Sequence, residues 1–275
     1  VFSSNADIAW VPTSEGPSQW INQNGLSRAF KPGDGGQSRI MGKTLIDALK
    51  GTDPNSTADD DPRLMIFSGG VNGNVDPLAQ EGMPNGLDSG TLDAYTGISN
   101  SSPNELFSSL NLLLLDVDDS YIVMNYAEME FLQAEAKERG IGSVPGTAKS
   151  HYEAGVKAAM QMWTAFDASF VVNDGSVSAY LAQYPYTEGG PNALAMIGEQ
   201  MWLGLELNWW DAWNSWRRTG FPVLTPVVYP GNTTNGQIPT RLIYPSSETA
   251  SNNDNLTSGG TTPNNHVGKV WWDVD

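Results

Sequence analysis

The stretch NWWDAWNSWRR, residues 208–218, places four tryptophans within eight positions and ends in two arginines. In an α-helix, which turns about 100° per residue, Trp209, Trp213 and Trp216 lie within about 60° of one another. Trp202, seven residues upstream of Trp209, falls on the same stripe. A sugar-binding platform needs rings that are open to solvent, whereas a stripe at helical period over several turns is typical of a core-facing helix. The pattern therefore predicts that these four tryptophans are buried.

The tryptophans belong to one long predicted helix that runs from about residue 192 to residue 219. Gly220 is placed to end this helix, because glycine readily adopts the left-handed conformation of a helix C-cap. Arg217 follows Trp213 by four residues and is placed to stack on its ring. Trp210 alone falls off the stripe and is therefore free for another role.

Two helices are predicted upstream, each from a local start signal and an apolar stripe. Asn125 begins the pattern N-Y-A-E, a capping box with Glu128 three residues on, and this helix runs to Gly140. The next helix begins near Thr147. Its apolar residues recur at helical spacing: Tyr152, Val156, Ala159, Met160, Trp163 and Phe166. A shorter helix is predicted over residues 177–183.

The rest of the sequence predicts predominantly irregular structure. The sequence of residues 1–118 predicts a loop-rich region with one helix near residues 38–50 and a short strand at residues 64–67. Residues 119–220 predict a helical bundle, and residues 221–275 predict an irregular tail that wraps the surface. Long ordered loops in a compact domain usually carry function, which makes the first region the predicted ligand side.

The composition narrows the classes of partner. The chain has 275 residues and a formal net charge of −17, so it lacks the basic surface that binds nucleic acid or an anionic membrane. It has no cysteine, which excludes disulfides, thiolate nucleophiles and cysteine-ligated zinc within this chain. Neutral ligands such as sugars and peptides are compatible with this composition.

No catalytic motif or metal site emerges from the sequence. A glycoside hydrolase needs two carboxylates across a cleft, and beyond the total of 31 acidic residues nothing supports such a pair. The two histidines, His151 and His266, accompany no G-x-S-x-G motif. Asp59, Asp60 and Asp61 lack the glycine and distal glutamate of an EF-hand, which favours a solvated loop over a calcium site. The sequence thus predicts no catalytic residue, no metal and no cofactor.

Four aromatic residues follow no helical period and lie among Gly, Pro, Ser and Asn. They are Trp10, Trp20, Phe30 and Tyr95. Such rings either anchor the loops on the core or face a ligand, because neutral glycans are held by aromatic stacking together with hydrogen bonds from polar side chains. Both interpretations are open at this point, and the four residues are the predicted ligand-binding candidates.

Five segments carry a family resemblance. In order, they are RIMGKTLIDALKGTDPNSTADDDPRLMIF at 39–67, MNYAEMEFLQAEAKERG at 124–140, HYEAGVKAAMQMW at 151–163, the Arg-Arg-Thr-Gly ending at 217–220, and IPTRLIYPSSETASNNDN at 238–255. Each segment is a weak signal alone. Together, in this order, they resemble the SusD/RagB family of SusD-like outer-membrane nutrient-binding lipoproteins of Bacteroidetes.

The resemblance implies a mostly α fold of tetratricopeptide-like helical hairpins with long irregular loops and a few short strands. It implies a single SusD-like domain over residues 1–275 that forms the C-terminal portion of the family fold. The missing N-terminal part is expected to carry the lipid-anchored cysteine and the first hairpins. Asp61–Leu64, Tyr126–Glu128 and Arg217–Gly220 are then signatures of the scaffold. The family has no universal ligand motif, so the resemblance assigns no binding residue.

The function implied by the resemblance is capture rather than catalysis. Members act at the cell outer membrane as surface-exposed lipoproteins, where they take up a glycan and deliver it to a SusC-like TonB-dependent transporter. The membrane would be reached only through the lipid anchor outside this chain. Two alternatives are open: a peptide-capturing SusD/RagB member, and a carbohydrate-active enzyme such as a glycoside hydrolase.

Overall fold

The computed structural model describes residues 2–7, 9–16, 22–34, 36–259 and 263–271. The chain divides into two compact units, Val1–Val223 and Leu224–Asp275. Helices predominate over a few short strands, which confirms the predicted fold class. In the described residues, none of the helices combines the length and the apolar character that a bilayer-spanning helix needs.

The first unit contains most of the regular structure. Its helices are α1 (Gly25–Phe30), α2 (Lys43–Leu49), α3 (Leu64–Phe67), α4 (Ser89–Thr96), α5 (Pro103–Leu106), α6 (Tyr126–Glu138), α7 (Ala148–Gln161), α8 (Asp174–Gln183), α9 (Ala193–Gly204) and α10 (Trp209–Thr219). Its strands are β1 (Ala9–Val11), β2 (Ser68–Gly70), β3 (Ser109–Leu110) and β4 (Tyr121–Met124). β1 pairs antiparallel with β4, and β2 pairs antiparallel with β3.

The core of this unit is built around α6, α7 and α9, which pack against one another. Asn125 caps α6 by accepting a hydrogen bond from the Glu128 N–H at 2.7 Å, and Thr147 caps α7 by accepting one from the Ser150 N–H at 3.0 Å. The predicted stripe on α7 is buried from Tyr152 to Trp163, and Phe166 is partly buried against it. The capping residues and the apolar stripe were therefore sufficient to predict these two helices.

The close approach of α6 and α7 depends on a glycine. A Cβ atom built on Gly155 would lie 2.6 Å from the Phe131 ring. Phe131 is fully buried, so neither side has room to move without disturbing the core. The Tyr152 ring adds a contact on the same side, 6.3 Å from the Phe131 ring between centroids.

An ion-pair cluster ties α10 to α6. Nη1 and Nη2 of Arg218 donate to the carboxylate of Glu135, at 2.5 and 2.7 Å, and Arg139 Nε donates to the same carboxylate at 2.7 Å. Burial alone would raise the pKa of Glu135, but the two arginines hold it below its usual value. The Arg-Arg-Thr-Gly ending is thus joined to the Ala-Glu-Ala segment of α6, as expected for a scaffold signature. The other arginine, Arg217, stacks on Trp213 as predicted, with 4.0 Å between guanidinium carbon and ring centroid.

The prediction of one long buried helix is wrong. The helix ends at Gly204, and α10 begins at Trp209 after a break in which Leu207 adopts a positive φ of 69°. The break turns α10 out of phase with α9, so Trp209 and Trp210 are 40% and 59% exposed. Trp202, Trp213 and Trp216 are partly buried, and the buried residue of α10 is Ala212.

Several other boundaries differ from the predictions. Residues 64–67 form a helix rather than a strand, and the helix near residues 38–50 covers only Lys43–Leu49. The loop-rich region 1–118 was predicted to contain one helix, but it also contains α1, α3, α4 and α5. These helices have four to eight residues, too few to show a hydrophobic period. Glu128 does not complete the predicted capping box, because its side chain accepts no hydrogen bond from Asn125 in the described structure.

The second unit contains little regular structure. It contains α11 (Ser246–Ser251) and α12 (Asn253–Ser258), where the sequence predicted only an irregular tail. The N–H groups of Thr240 and Arg241 both donate to the His266 carbonyl, at 2.9 and 3.2 Å. Its predicted wrapping over the surface stays a prediction.

The break between α9 and α10 buries an acid and gives a pH prediction. Glu206 is 8% exposed, and burial raises its pKa to about 7, only partly offset by the hydrogen bond from Trp209. The folded chain then binds more protons than the unfolded chain between the ordinary glutamate pKa of about 4.3 and about 7. Stability should therefore fall as pH rises through that window, by an amount on the order of 1–3 kcal/mol.

Glu206→Gln should flatten this pH dependence, as measured by urea unfolding at pH 5 and pH 7.5. Glu188→Gln, at an exposed glutamate, removes the same charge and is the control that should leave the dependence unchanged. Burial also raises the pKa of Glu128 to about 7. Part of the pH dependence of stability should therefore remain in both variants. An unaltered slope in Glu206→Gln would rule out Glu206 as a source of it.

Candidate functional site

The predicted ligand residue Trp10 lies in β1 and packs partly buried against the core. Its ring centroid is 5.6 Å from that of Phe166, which in turn contacts Trp163. These contacts are those of loop anchoring, the alternative to ligand binding that the sequence left open. Trp20 lies outside the described residues. A ligand role for either residue stays a prediction.

Phe30 and Tyr95 lie in different surroundings. Phe30, at the end of α1, has its ring centroid 5.4 Å from that of Trp209, and the guanidinium of Arg39 lies 4.7 Å from the same ring. Tyr95, on α4, is 54% exposed. Among the described residues, no ring contact joins Trp10, Phe30 and Tyr95 to one another, so the structure supplies no shared platform for them.

A concave site is found elsewhere, beside α8. A cavity of about 480 Å³ lies between α8 and the loop of residues 57–63 that precedes α3. A second cavity, of about 280 Å³, extends toward α2 and α9. Both cavities are lined by Tyr180, Tyr184, Asp59 and Asp61. We call this pair of cavities the tyrosine cleft.

The two tyrosines are held in position by the way α8 is anchored. Asn173 caps the helix by accepting a hydrogen bond from the Ser176 N–H at 2.9 Å. Lys157 and Gln161, both on α7, donate to the two oxygens of Asp174 at 2.9 and 2.8 Å. Tyr184 is the C-cap residue of α8, and its spacing of four residues places it on the same side as Tyr180, with ring centroids 4.9 Å apart and planes at 46°.

The loop opposite α8 is fixed by a buried ion pair. Arg63 is fully buried and donates from Nε and Nη2 to the Asp61 carboxylate, at 2.9 and 2.6 Å. Burial disfavours the charged guanidinium, yet Asp61 raises the pKa of Arg63 overall. The same Nη2 donates to Gln200 Oε1 at 2.8 Å, and Gln200 Nε2 donates to the Tyr180 hydroxyl at 2.8 Å. A continuous hydrogen-bonded chain therefore joins the loop to α9 and α8.

The loop is also bonded to the second tyrosine. The Tyr184 hydroxyl donates to the Asp59 carbonyl at 2.9 Å. The Asp59 carboxylate accepts from the N–H and hydroxyl of Thr52, at 2.7 and 3.0 Å, and these bonds lower its pKa. Asp59 is thus ionised at neutral pH at the wall of the cleft.

Two further acids line the cleft. Asp60 accepts a hydrogen bond from the Gly51 N–H at 2.7 Å through one oxygen, and its other oxygen is buried with no hydrogen-bond partner among the described residues. Glu199, on α9, is exposed as a residue, but burial of its carboxyl group raises its pKa. Lys50 also lines the cleft, where its ammonium donates to the carbonyls of Leu78 and Gln80.

The arrangement is suited to binding a small polar ligand that has an apolar face. It combines a concave surface, two partly buried rings and several hydrogen-bond acceptors, the usual makeup of a small-molecule site. Within the described ranges, no group of three or more His, Cys, Asp or Glu side chains is arranged to hold a metal ion. Tyr180 and Tyr184 carry no distinguishing signal in the sequence, because a tyrosine at helical spacing is indistinguishable from a core residue.

Comparisons with known proteins agree with this fold. A family model described as "Starch-binding associating with outer membrane", SusD-like_2, matches residues 1–245. Among curated protein sequences, none matches the chain.

Solved structures give strong matches. A chitin-binding protein is 27% identical with a TM-score of 0.75, and the match covers 100% of this chain and 57% of that one. A Bacteroidetes SusD-like protein is 23% identical with a TM-score of 0.73, over 100% of this chain and 63% of that one. A SusD homologue from Bacteroides fragilis is 21% identical with a TM-score of 0.70, over 98% of this chain and 58% of that one. The chain thus spans about 60% of the length of these relatives.

Proposed function

Because the chain belongs to the SusD-like family whose members are described as starch-binding and associated with the outer membrane, we propose that it captures an oligosaccharide and holds it in the tyrosine cleft. The observation that supports this most directly is the pair of partly buried rings, Tyr180 and Tyr184, on the wall of a cavity of about 480 Å³. A sugar ring stacks its C–H face on such an aromatic side chain and directs its hydroxyls to nearby acceptors.

The polar groups of the cleft complete the match to a sugar. The Asp59 carboxylate is fixed by Thr52, and the phenol of Tyr184 is fixed by the Asp59 carbonyl. A site whose side chains are already held in place binds with a smaller entropic cost. The chitin-binding relative, at 27% identity over the whole of this chain, supports a glycan as the ligand class.

The proposal extends to the cell surface. The full protein would sit on the outer membrane as a lipoprotein and pass the glycan to a SusC-like TonB-dependent transporter, without hydrolysing it. Family membership is the support for this part. Co-purification of the full-length protein with a neighbouring transporter would test it, and a full-length protein that purifies without such a partner would argue against delivery.

Tyr184→Ala should weaken oligosaccharide binding by about tenfold, because an aromatic stacking contact contributes about 0.5–1.5 kcal/mol beyond the area that it buries. Isothermal titration against hexamers of N-acetylglucosamine and of glucose measures this loss. Tyr184→Phe retains the ring and should bind within a few-fold of the original chain.

Tyr95→Ala is the matched variant at an exposed tyrosine outside the cleft. It should leave binding unchanged. Loss of binding in Tyr95→Ala with retention in Tyr184→Ala would move the site to the loop aromatics predicted from the sequence. Tight binding of peptides with no glycan binding would favour a peptide-capturing member, and release of reducing ends from a polysaccharide would favour an enzyme.

A further inference from the structure

The charges that line the tyrosine cleft are unbalanced. Its walls carry five carboxylates, those of Asp47, Asp59, Asp60, Asp61 and Glu199, and one ammonium, that of Lys50. Asp61 is neutralised by Arg63, and Asp47 by Lys43 at 2.8 Å. Three carboxylates remain against one ammonium, and that ammonium is hydrogen-bonded to two backbone carbonyls.

The unbalanced carboxylates lie next to Tyr180 and Tyr184, which line both cavities. Asp59 is joined to Tyr184 through its own carbonyl, and both residues line both cavities. The solvent-shielded oxygen of Asp60 has no hydrogen-bond partner among the described residues. The Glu199 side chain makes no hydrogen bond or salt bridge in the described structure, and the cation that acts on it, Arg63, is already paired with Asp61. A partly desolvated carboxylate without a countercharge is unfavourable, and a cation that enters beside it relieves the cost.

We propose that the tyrosine cleft selects a cationic amino sugar, so that oligosaccharides with free amino groups bind more tightly than neutral ones of the same length. The inference rests on the proposed function, since it names the substrate class of the same site. The C–H face of the sugar stacks on Tyr180 or Tyr184, and the ammonium of the sugar pairs with Asp59 or Glu199. A neutral N-acetylated sugar makes the same stacking contact but leaves the excess negative charge of the cleft in place.

The pairing has a defined pH range. Arg63 and Asp61 act on Glu199 electrostatically, and the other ionisable groups that line the same cavity are Asp47, Lys50, Asp59, Tyr152, Tyr180 and Tyr184. Burial raises the pKa of Glu199 from its usual value. The preference for the amino sugar should therefore weaken as pH falls through that pKa, and weaken again as pH rises above the pKa of the amine.

The test compares two hexamers of equal length, one of glucosamine and one of N-acetylglucosamine, by isothermal titration at pH 6.5. We expect the glucosamine hexamer to bind about tenfold more tightly, a typical gain for one close charge pair at an interface. Added salt should reduce this advantage, since screening weakens partly exposed charge pairs. Glu199→Gln should bring the two affinities within about threefold of each other.

Two further variants distinguish a failure of the charge preference from a failure of the proposed glycan capture. Glu188→Gln removes an exposed acid outside the cleft lining and should retain the full preference. Tyr184→Ala should weaken both hexamers. Equal affinities for both hexamers, unaltered by Glu199→Gln, would overturn the charge preference and leave glycan capture standing. Absence of binding by either hexamer and by glucose oligomers would overturn the proposed function itself, and tighter binding of a lysine-rich peptide than of either hexamer would overturn both.

Discussion

Arg63→Met is expected to lower the free energy of unfolding by about 3–5 kcal/mol, the usual cost of removing one partner from a buried ion pair. Arg63 is fully buried, and its guanidinium satisfies both oxygens of Asp61, itself 3% exposed. Without Arg63, Asp61 would be left as a buried charge with no countercharge. The hydrogen bond to Gln200 would also be lost, which frees the loop from α9.

Urea unfolding followed by circular dichroism measures this loss. Lys149→Met is the control, because the Lys149–Glu153 pair is exposed, with 3.7 Å between the charged atoms, and such pairs contribute at most about 1 kcal/mol. The double variant Arg63→Met, Asp61→Leu should recover part of the loss, since it leaves no unpaired charge. A loss below about 1 kcal/mol in Arg63→Met would contradict the role of this pair as the anchor of the cleft.

Trp163→Ala is expected to lower the free energy of unfolding by about 3–5 kcal/mol, the range for truncation of a buried Trp. Trp163 is fully buried, its Nε1 donates to the Ala159 carbonyl at 2.8 Å, and its ring meets Phe67 edge-on with centroids 4.9 Å apart. The substitution would leave a cavity beside Phe67 of α3, where the Trp163 ring now packs.

Trp210→Ala removes the same side chain from a position that is 59% exposed. It should cost less than about 1 kcal/mol, as is usual for surface substitutions. The two variants are compared in one denaturant series. Equal losses at the two positions would mean that Trp210 is buried, contrary to its exposure and to its place off the predicted stripe.

The sequence was informative where the structural signal is local. Asn125 and Thr147 mark the starts of α6 and α7 by capping, and the stripe from Tyr152 to Trp163 is continuous. The break at Leu207 has no such marker, because a positive φ at a leucine is imposed by packing rather than by local preference. Once the helix is interrupted, the phase calculated from Trp202 no longer applies to Trp209.

Hydrophobic periodicity could not predict the candidate site, for a different reason. Its walls come from distant parts of the chain: the Tyr184 hydroxyl reaches the carbonyl of Asp59, 125 residues away, and Gln200 meets Arg63 across 137 residues. The family signature at residues 61–64 indicated an important loop but not what it faces. Sequence reasoning instead selected the aromatic residues of irregular segments, of which Trp10 packs against the core.

Binding of an oligosaccharide in the tyrosine cleft, against Tyr180 or Tyr184, is tested by a crystal structure of the chain with a bound glucosamine hexamer. We expect a sugar ring in van der Waals contact with one of these tyrosines, and its amino group within hydrogen-bond distance of Asp59 or Glu199. An ordered oligosaccharide at Tyr95 or along the exposed tryptophans of α10, with nothing bound in the tyrosine cleft, would contradict it.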